Sequence, residues 1–328
     1  MPRYILRRLL YSLILIVGLL TAVFFLVHLM PGDPVQLIGE HELDEAGRAL
    51  IRQRMGLDQP LLQQYFRWLG QCFRGDFGTS LSHGRPVTQV LAEALPRTLL
   101  LTFSAFIVRW ILGIVIGVSI AQHPGRRRSR LLNSLGLVLY SLPSFWIGLV
   151  LIMVFSRNFG WFPSGGMVSP DALWLSPGER ILDGLHHLVL PVLVLGVGNI
   201  GPVVRYGEAS LSPILASDWV LAARAHGVPE RILIWRHSLR GAMPTLLTLA
   251  GLSLPGLFGG AVVVEKIFAW PGVGLLAYQA ILTRDYPLIM ADTALVAVLV
   301  ALASLMADLG CHWADPRLRL EAEGEDVR

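Results

Sequence analysis

Six long apolar stretches punctuate this chain, at about Leu9–Met30, Thr98–Ala121, Leu132–Phe155, Leu188–Val204, Pro244–Val264 and Leu288–Leu309. A helix needs about 20 such residues to cross a hydrocarbon core roughly 30 Å thick. Inside lipid, every backbone N–H and C=O must also be satisfied within the segment. The expected fold is therefore an all-α integral membrane protein with six transmembrane helices. The shortest stretch, Leu188–Val204, holds Pro191 and several glycines, so its ends are the least sharply defined. The first is too long for a signal peptide and lacks a small-residue cleavage pattern, so it reads as a retained anchor. Charged residues make up only 15% of the 328 positions against 54% hydrophobic, where a soluble domain carries about a quarter charged.

Orientation follows from arginine in the short connections. Arg3, Arg7 and Arg8 precede the first stretch, and Arg126, Arg127, Arg128 and Arg130 join the second to the third. Arg205, Arg224, Arg231, Arg236 and Arg240 lie between the fourth and fifth, and Arg317 and Arg319 follow the sixth. All fall on one side, which is expected to be cytoplasmic with both termini. The opposite segment 31–97 is balanced, with seven arginines against eight acids. The expected organisation is an N-terminal tail and first helix (1–30), an extracytoplasmic segment (31–97), a five-helix core (98–309) with a cytoplasmic loop (205–240), and a cytoplasmic tail (310–328). Within the outer segment, Leu61–Leu69 reads as an amphipathic helix capped by Asp58 with Pro60 in its first turn. Gly75–Asp76–Phe77–Gly78 and Gly84–Arg85–Pro86 read as turns, and Glu321–Arg328 as a disordered acidic tail.

Several chemistries are excluded. No phosphate loop, zinc-binding His-Glu-x-x-His, Cys-x-x-Cys or nucleophile elbow occurs, so no catalytic residue, cofactor or metal is expected. The net charge of +4 is spread between apolar segments, unlike a nucleic-acid-binding face. Cys72 and Cys311 fall on opposite sides and are not expected to pair. The histidines also divide by side: His28, His41, His83, His186 and His187 outside, His123, His226, His237 and His312 inside. The adjacent His186–His187 reads as incidental rather than metal-binding.

The loop Asp218–Trp219–Val220–Leu221–Ala222–Ala223–Arg224–Ala225–His226–Gly227–Val228–Pro229, running on to Ile234, His237 and Leu239, has its own local logic. Ser217 or Asp218 can cap a first short helix. Gly227 suits the left-handed position that stops it, and Pro229 suits the first turn of a second short helix. Val220, Leu221 and Ala223–Ala225 give the first helix small and apolar faces that fit a groove.

The spacing of this loop resembles the Glu-Ala-Ala loop of ABC importer permeases, and the likeness extends along nearly the whole chain to the dipeptide/oligopeptide/nickel class. It is carried by Pro31–Gly32–Asp33–Pro34, Gly56–Leu57–Asp58–Gln59–Pro60, Gly75–Asp76–Phe77–Gly78–Thr79–Ser80 and Leu142–Pro143–Ser144–Phe145. Further on come Phe268–Ala269–Trp270–Pro271–Gly272–Val273–Gly274, Arg284–Asp285–Tyr286–Pro287 and Asp315–Pro316–Arg317. Two positions depart: Leu221 stands where the family has Glu, and Arg240 where Pro follows His-x-Leu. The resemblance implies an inner-membrane permease that imports short peptides, with nickel or a metal–chelator complex as the alternative substrate. It also implies a second homologous permease, two ATPase subunits and an extracytoplasmic substrate-binding protein as partners. Asp218, Leu221, Ala222, Ala223, Arg224, Gly227, Ile234, His237 and Leu239 become the ATPase-coupling residues, with Arg224 or Arg231 pairing with ATPase carboxylates.

Candidate path residues come from the membrane pattern itself. Arg109 lies midway along the second stretch, where a charge costs roughly 2.5–3.5 kcal/mol on insertion scales. It shares a helical stripe with Thr102, Ala105, Gly113 and Gly117, which permits close packing. Either it pairs with a carboxylate or it lines the substrate path. Asp292 is a second candidate for either role. Gly256 and Gly259, in a fifth stretch that also holds Gly251, Pro255 and Gly260, suit a pore-lining face, and Ser141–Leu142–Pro143–Ser144 predicts a bend. An ion-coupled secondary transporter would need inverted repeats and buried carboxylate pairs, and a membrane enzyme would need a catalytic cluster at one depth; neither is found.

Overall fold

The computed structural model describes residues 2–29, 53, 58–259 and 261–314. Pro31–Gly32–Asp33–Pro34, Gly56–Leu57, Gly260, Asp315–Pro316–Arg317 and the acidic tail lie outside these residues, as does the side chain of Cys311. The described chain is helical, with one isolated bridge between Thr79 and Pro86. Four helices are continuous and apolar enough to span a bilayer: Leu6–Leu29, Val87–Gln122, Pro177–Gly198 and Tyr286–Gly310. Two further bent pairs, Arg127–Ser141 with Ser144–Asn158 and Glu230–Ser253 with Gly256–Ile267, qualify as spans only when each pair is taken together.

The chain divides into two compact units, Met1–Thr98 with Pro271–Ala301, and Leu99–Trp270 with Leu302–Arg328. The first unit holds α1 (Pro2–Leu29), α2 (Leu61–Phe73), the start of α3 (Val87–Gln122), α12 (Val273–Leu282) and most of α13 (Tyr286–Ala314). Its core joins Val87, Val90, Leu91 and Ala94 of α3 to Val273, Leu276 and Ala280 of α12 and to Leu288 and Ala291 of α13. The amphipathic helix exists as α2. Its Tyr65 and Trp68 pack on Phe24 and Val27 of α1, and the Tyr65 hydroxyl lies 2.7 Å from Thr21 Oγ1. Its start differs from expectation. Pro60 is the N-cap rather than a first-turn residue, and no side chain caps the helix. Gln64 Nε2 instead donates to the Gln59 carbonyl. The expected turns are present, with Gly75, Gly78 and Gly84 all at positive φ.

The second unit holds the rest of α3, then α4 (Arg127–Ser141), α5 (Ser144–Asn158, its last seven residues a π-helix), α6 (Pro177–Gly198), α7 (Ile200–Leu215), α8 (Asp218–Ala225) and α9 (Glu230–Ser253, with a π-helical turn at Leu233–Ser238). Short helices α10 (Gly256–Gly259) and α11 (Val262–Ile267) complete it. Glycine governs its crossings. A Cβ at Gly113 would lie 2.5 Å from Val203 Cγ1, and one at Gly117 2.9 Å from the Val204 carbonyl oxygen. The expected stripe on α3 is thus the seat of α7.

The expected bend in the third stretch is a break of 103° between α4 and α5. Pro143 holds Leu142 extended, at ψ 136°, because a pre-proline residue is steered away from the helical region. The fourth stretch differs from expectation. Helix α6 begins at Pro177, behind a Ser176–Glu179 capping box in which the Ser176 N–H donates to Glu179 at 2.8 Å, and it ends before Asn199. Expected span residues 200–204 belong to α7. Hydropathy missed the polar first half of α6 because a capping box and helix propensity hold it without an apolar run.

Candidate functional site

The polar loop folds into a sharp corner. Helix α8 ends at the C-cap His226, and Gly227 follows at φ 77°. The Val228 N–H reaches back to the Ala223 carbonyl at 3.1 Å and the Gly227 N–H to Arg224 at 3.0 Å, the pair of bonds that defines a Schellman stop. Pro229 is the N-cap of α9 rather than a first-turn residue, and α9 is not short but runs to Ser253. Ser217 occupies the N-cap of α8, but its hydroxyl donates to the Ile214 carbonyl. Asp218 stands in the first turn of α8, next to the positive end of its dipole.

Arg224 is committed within the chain. Its Nε and Nη2 grip the two carboxylate oxygens of Glu230 at 3.1 and 2.7 Å, across the corner. The fork raises the Arg224 pKa and holds Glu230 below the usual carboxylate range, each through its hydrogen bond to the other. Val220 is fully buried, so it faces its own chain rather than a groove. Leu233 and Ile234 are buried as well, Ile234 against Trp110, Val203 and Leu211. Trp219, Leu221, Ile232 and Trp235 are exposed, as are Ala222, Ala225 and His237, while Ala223 and Leu239 are half-buried. The predicted residues therefore separate into an anchor, Ile234, and an outward apolar surface around Leu221 and Ala222.

A second feature lies around Arg109. Its side chain lines a cavity of about 460 Å³ with Phe106, Tyr140, Ser144, Asn199 and Ser253 among the walls. Its Nε and Nη2 are buried and have no hydrogen-bond partner among the described residues. The guanidinium lies 5.4 Å from the Phe106 ring centroid. Thr102, Ala105 and Gly256 also line the cavity, whereas Asp292 does not; the surroundings of Gly259 lie outside the described residues. Asp292 is buried on α13.

Two polar clusters escaped the sequence reading. Buried Asp285 accepts Ser80 Oγ at 2.6 Å, Ser82 Oγ at 2.7 Å and the Ser82 N–H at 2.9 Å, all on Oδ2. Its Oδ1 caps α13 through the Leu288 N–H. Because both hydroxyls donate to the carboxylate, His83 Nδ1, within 3.1 Å of each, acts as the donor to them. The second cluster ties Ser169 to Asp183, with His187 Nδ1 facing the Gly165 and Gly166 carbonyls and His186 Nε2 the Trp161 carbonyl. The two adjacent rings thus serve different carbonyls, and no metal-like cluster forms among the described residues. Both polar clusters join residues far apart in sequence; the turn glycines and the motifs around Ser80 and Asp285 were the available signals.

The family model described as "Binding-protein-dependent transport system inner membrane component" matches residues 113–320, and that described as "Binding-prot-dependent transport system membrane comp, N-term" matches residues 1–102. The chain is 38% identical over 319 residues to the oligopeptide transport system permease protein AppB of Bacillus subtilis (strain 168), covering 97% of this chain and 99% of that one. It is 36% identical to the glutathione transport system permease protein GsiC of Salmonella typhimurium, with 97% and 99% covered. The probable D,D-dipeptide transport system permease protein DdpB of Escherichia coli (strain K12) is 34% identical, with 96% and 97% covered. Among solved structures, a chain of "Inward facing conformations of the MetNI methionine ABC transporter" aligns with a TM-score of 0.51 at 19% identity, covering 70% of this chain and 97% of that one. That likeness is one of fold.

Proposed function

The chain belongs to the family of binding-protein-dependent transport system inner membrane components, and from that premise we propose that it is the permease subunit of an ATP-driven importer of short peptides. The observation that carries the reading is its likeness, over nearly the whole length, to permeases of oligopeptide, glutathione and D,D-dipeptide systems. Nickel or a metal–chelator complex is the less supported cargo, since those relatives are named for peptides.

In this reading the four continuous helices and two bent pairs make six spans, with both termini and the α8–α9 corner in the cytoplasm and segment 31–97 outside. The chain itself carries out no covalent step. Two ATPase subunits hydrolyse ATP, a second homologous permease completes the path, and an extracytoplasmic receptor delivers the substrate. The exposed Trp219, Leu221, Ala222 and Ala225 surface enters a cleft on the ATPase. Val220 and Ile234, buried in the chain's own core, carry the displacement into α7 and α9. The Arg224–Glu230 fork supports this role by making the corner one stiff piece.

The test is uptake of a labelled tripeptide by cells producing the chain with its partner subunits. Competition by unlabelled peptides but not by nickel is the expected result, and competition by nickel alone would transfer the reading to the alternative cargo.

A further inference from the structure

The reading above leaves open what the path recognises, and the cavity on α3 supplies a chemical answer. Arg109 Nε and Nη2 form one edge of the guanidinium, with two parallel N–H donors at the spacing of a carboxylate. The same chain shows how that edge is used: Arg224 presents the same two atoms to Glu230. In Arg109 both are buried and find no partner among the described residues, while the Phe106 ring supports the guanidinium at 5.4 Å. A buried, unmatched cation at this depth is costly, and the cost falls when a carboxylate meets it.

The cavity walls fit the same ligand. Among the described residues no aspartate or glutamate lines it, and Arg109 is the charged one. Asn199 donates to the Leu195 carbonyl through Nδ2, and a side-chain amide carries a second N–H. Tyr140 is shared with a second cavity of about 980 Å³, whose charged lining residues are Arg130 and Arg205. The sign of the lining charge is therefore kept from one cavity to the next, and a free divalent cation is repelled along both.

We propose that Arg109, assisted by Asn199, forms a carboxylate-recognising subsite that takes the free C-terminal carboxylate of a peptide in transit. The peptide identity of the ligand rests on the proposed function, whereas the carboxylate chemistry rests on the cavity.

The test compares uptake of a tripeptide with that of its C-terminal amide, normalised to assembled complex, in wild type, Arg109→Lys and Arg109→Gln. The wild type should favour the free acid by about 10- to 100-fold, the range expected of a charge-assisted hydrogen bond. Arg109→Gln should erase that preference while still moving the amide, and Arg109→Lys should keep part of it. An acid-to-amide ratio unchanged by Arg109→Gln overturns the subsite; combined with reduced assembly, it assigns Arg109 to a structural pair with another subunit. If the wild type moves neither peptide, the peptide reading fails and the subsite is judged on binding alone. Benzoate should then raise the melting temperature of the purified wild-type complex but not of the Arg109→Gln complex, and an equal response in both overturns the subsite.

Discussion

Gly227 shows how much one φ angle can decide. A Cβ built there meets nothing within 4 Å, so crowding places no limit on a side chain. The limit is the backbone, at φ 77°, which costs an ordinary L-residue about 1–2 kcal/mol and a β-branched one more. Gly227→Val should leave the chain inserted but weaken ATPase co-purification and transport, whereas Gly227→Asn, which tolerates the left-handed region, should retain most of both. Equal behaviour of the two variants would remove the corner from the coupling account. Cys72 gives a second residue-scale expectation. Burial pushes its thiol up to about 11, and only the thiolate reacts. Maleimide labelling at neutral pH should therefore run roughly 100-fold or more below that of a free cysteine and climb about tenfold per pH unit. Labelling as fast as free cysteine would contradict the half-buried placement on α2.

At the scale of elements, two contacts determine where helices stop and start. The exposed Arg224–Glu230 fork contributes about 0.5–1 kcal/mol. Since the Glu230 pKa is lowered, that contribution is complete above an ordinary glutamate pKa and is lost only as pH falls through the depressed one. Asp285 matters more because it is fully buried. Asp285→Ala removes the cap of α13 and leaves the Ser80 and Ser82 donors unmatched, a loss of about 1–3 kcal/mol. The expected outcome is a lower melting temperature for the purified protein, only partly restored by Asp285→Asn, whose amide nitrogen cannot accept at one of the two oxygen positions. No shift in Asp285→Ala would mean that water replaces the carboxylate.

For the whole molecule, hydropathy and arginine placement made the helical membrane class legible, because lipid leaves few alternatives. The glycine stop at Gly227 was equally legible, since its backbone requirement is local. What escaped the sequence depends on distance or on competition between local forces. Ser80 and Asp285 are 205 positions apart, and nothing local announces their bond. Arg109 stood out as a charge, but its cavity is assembled from α3, α4, α5, α6 and the α9–α10 join. Helix α6 starts earlier than its apolar run because Ser176 and Glu179 cap a polar turn.

The unit that Asp285 holds together is discontinuous, made of Met1–Thr98 and Pro271–Ala301. A ribosome therefore finishes most of the other unit before the first can close. Until α12 and α13 emerge, the Val87–Ala94 face of α3 lacks its cover, and the Ser80 turn waits for its carboxylate. During synthesis, exposed apolar surface of this kind invites misassembly and proteolysis. A nascent chain arrested at Trp270 should be cut readily within residues 74–86, and release of the complete chain should abolish that cleavage. The last helices to be made thus complete the cover of the first ones, and a prematurely terminated chain leaves that cover open.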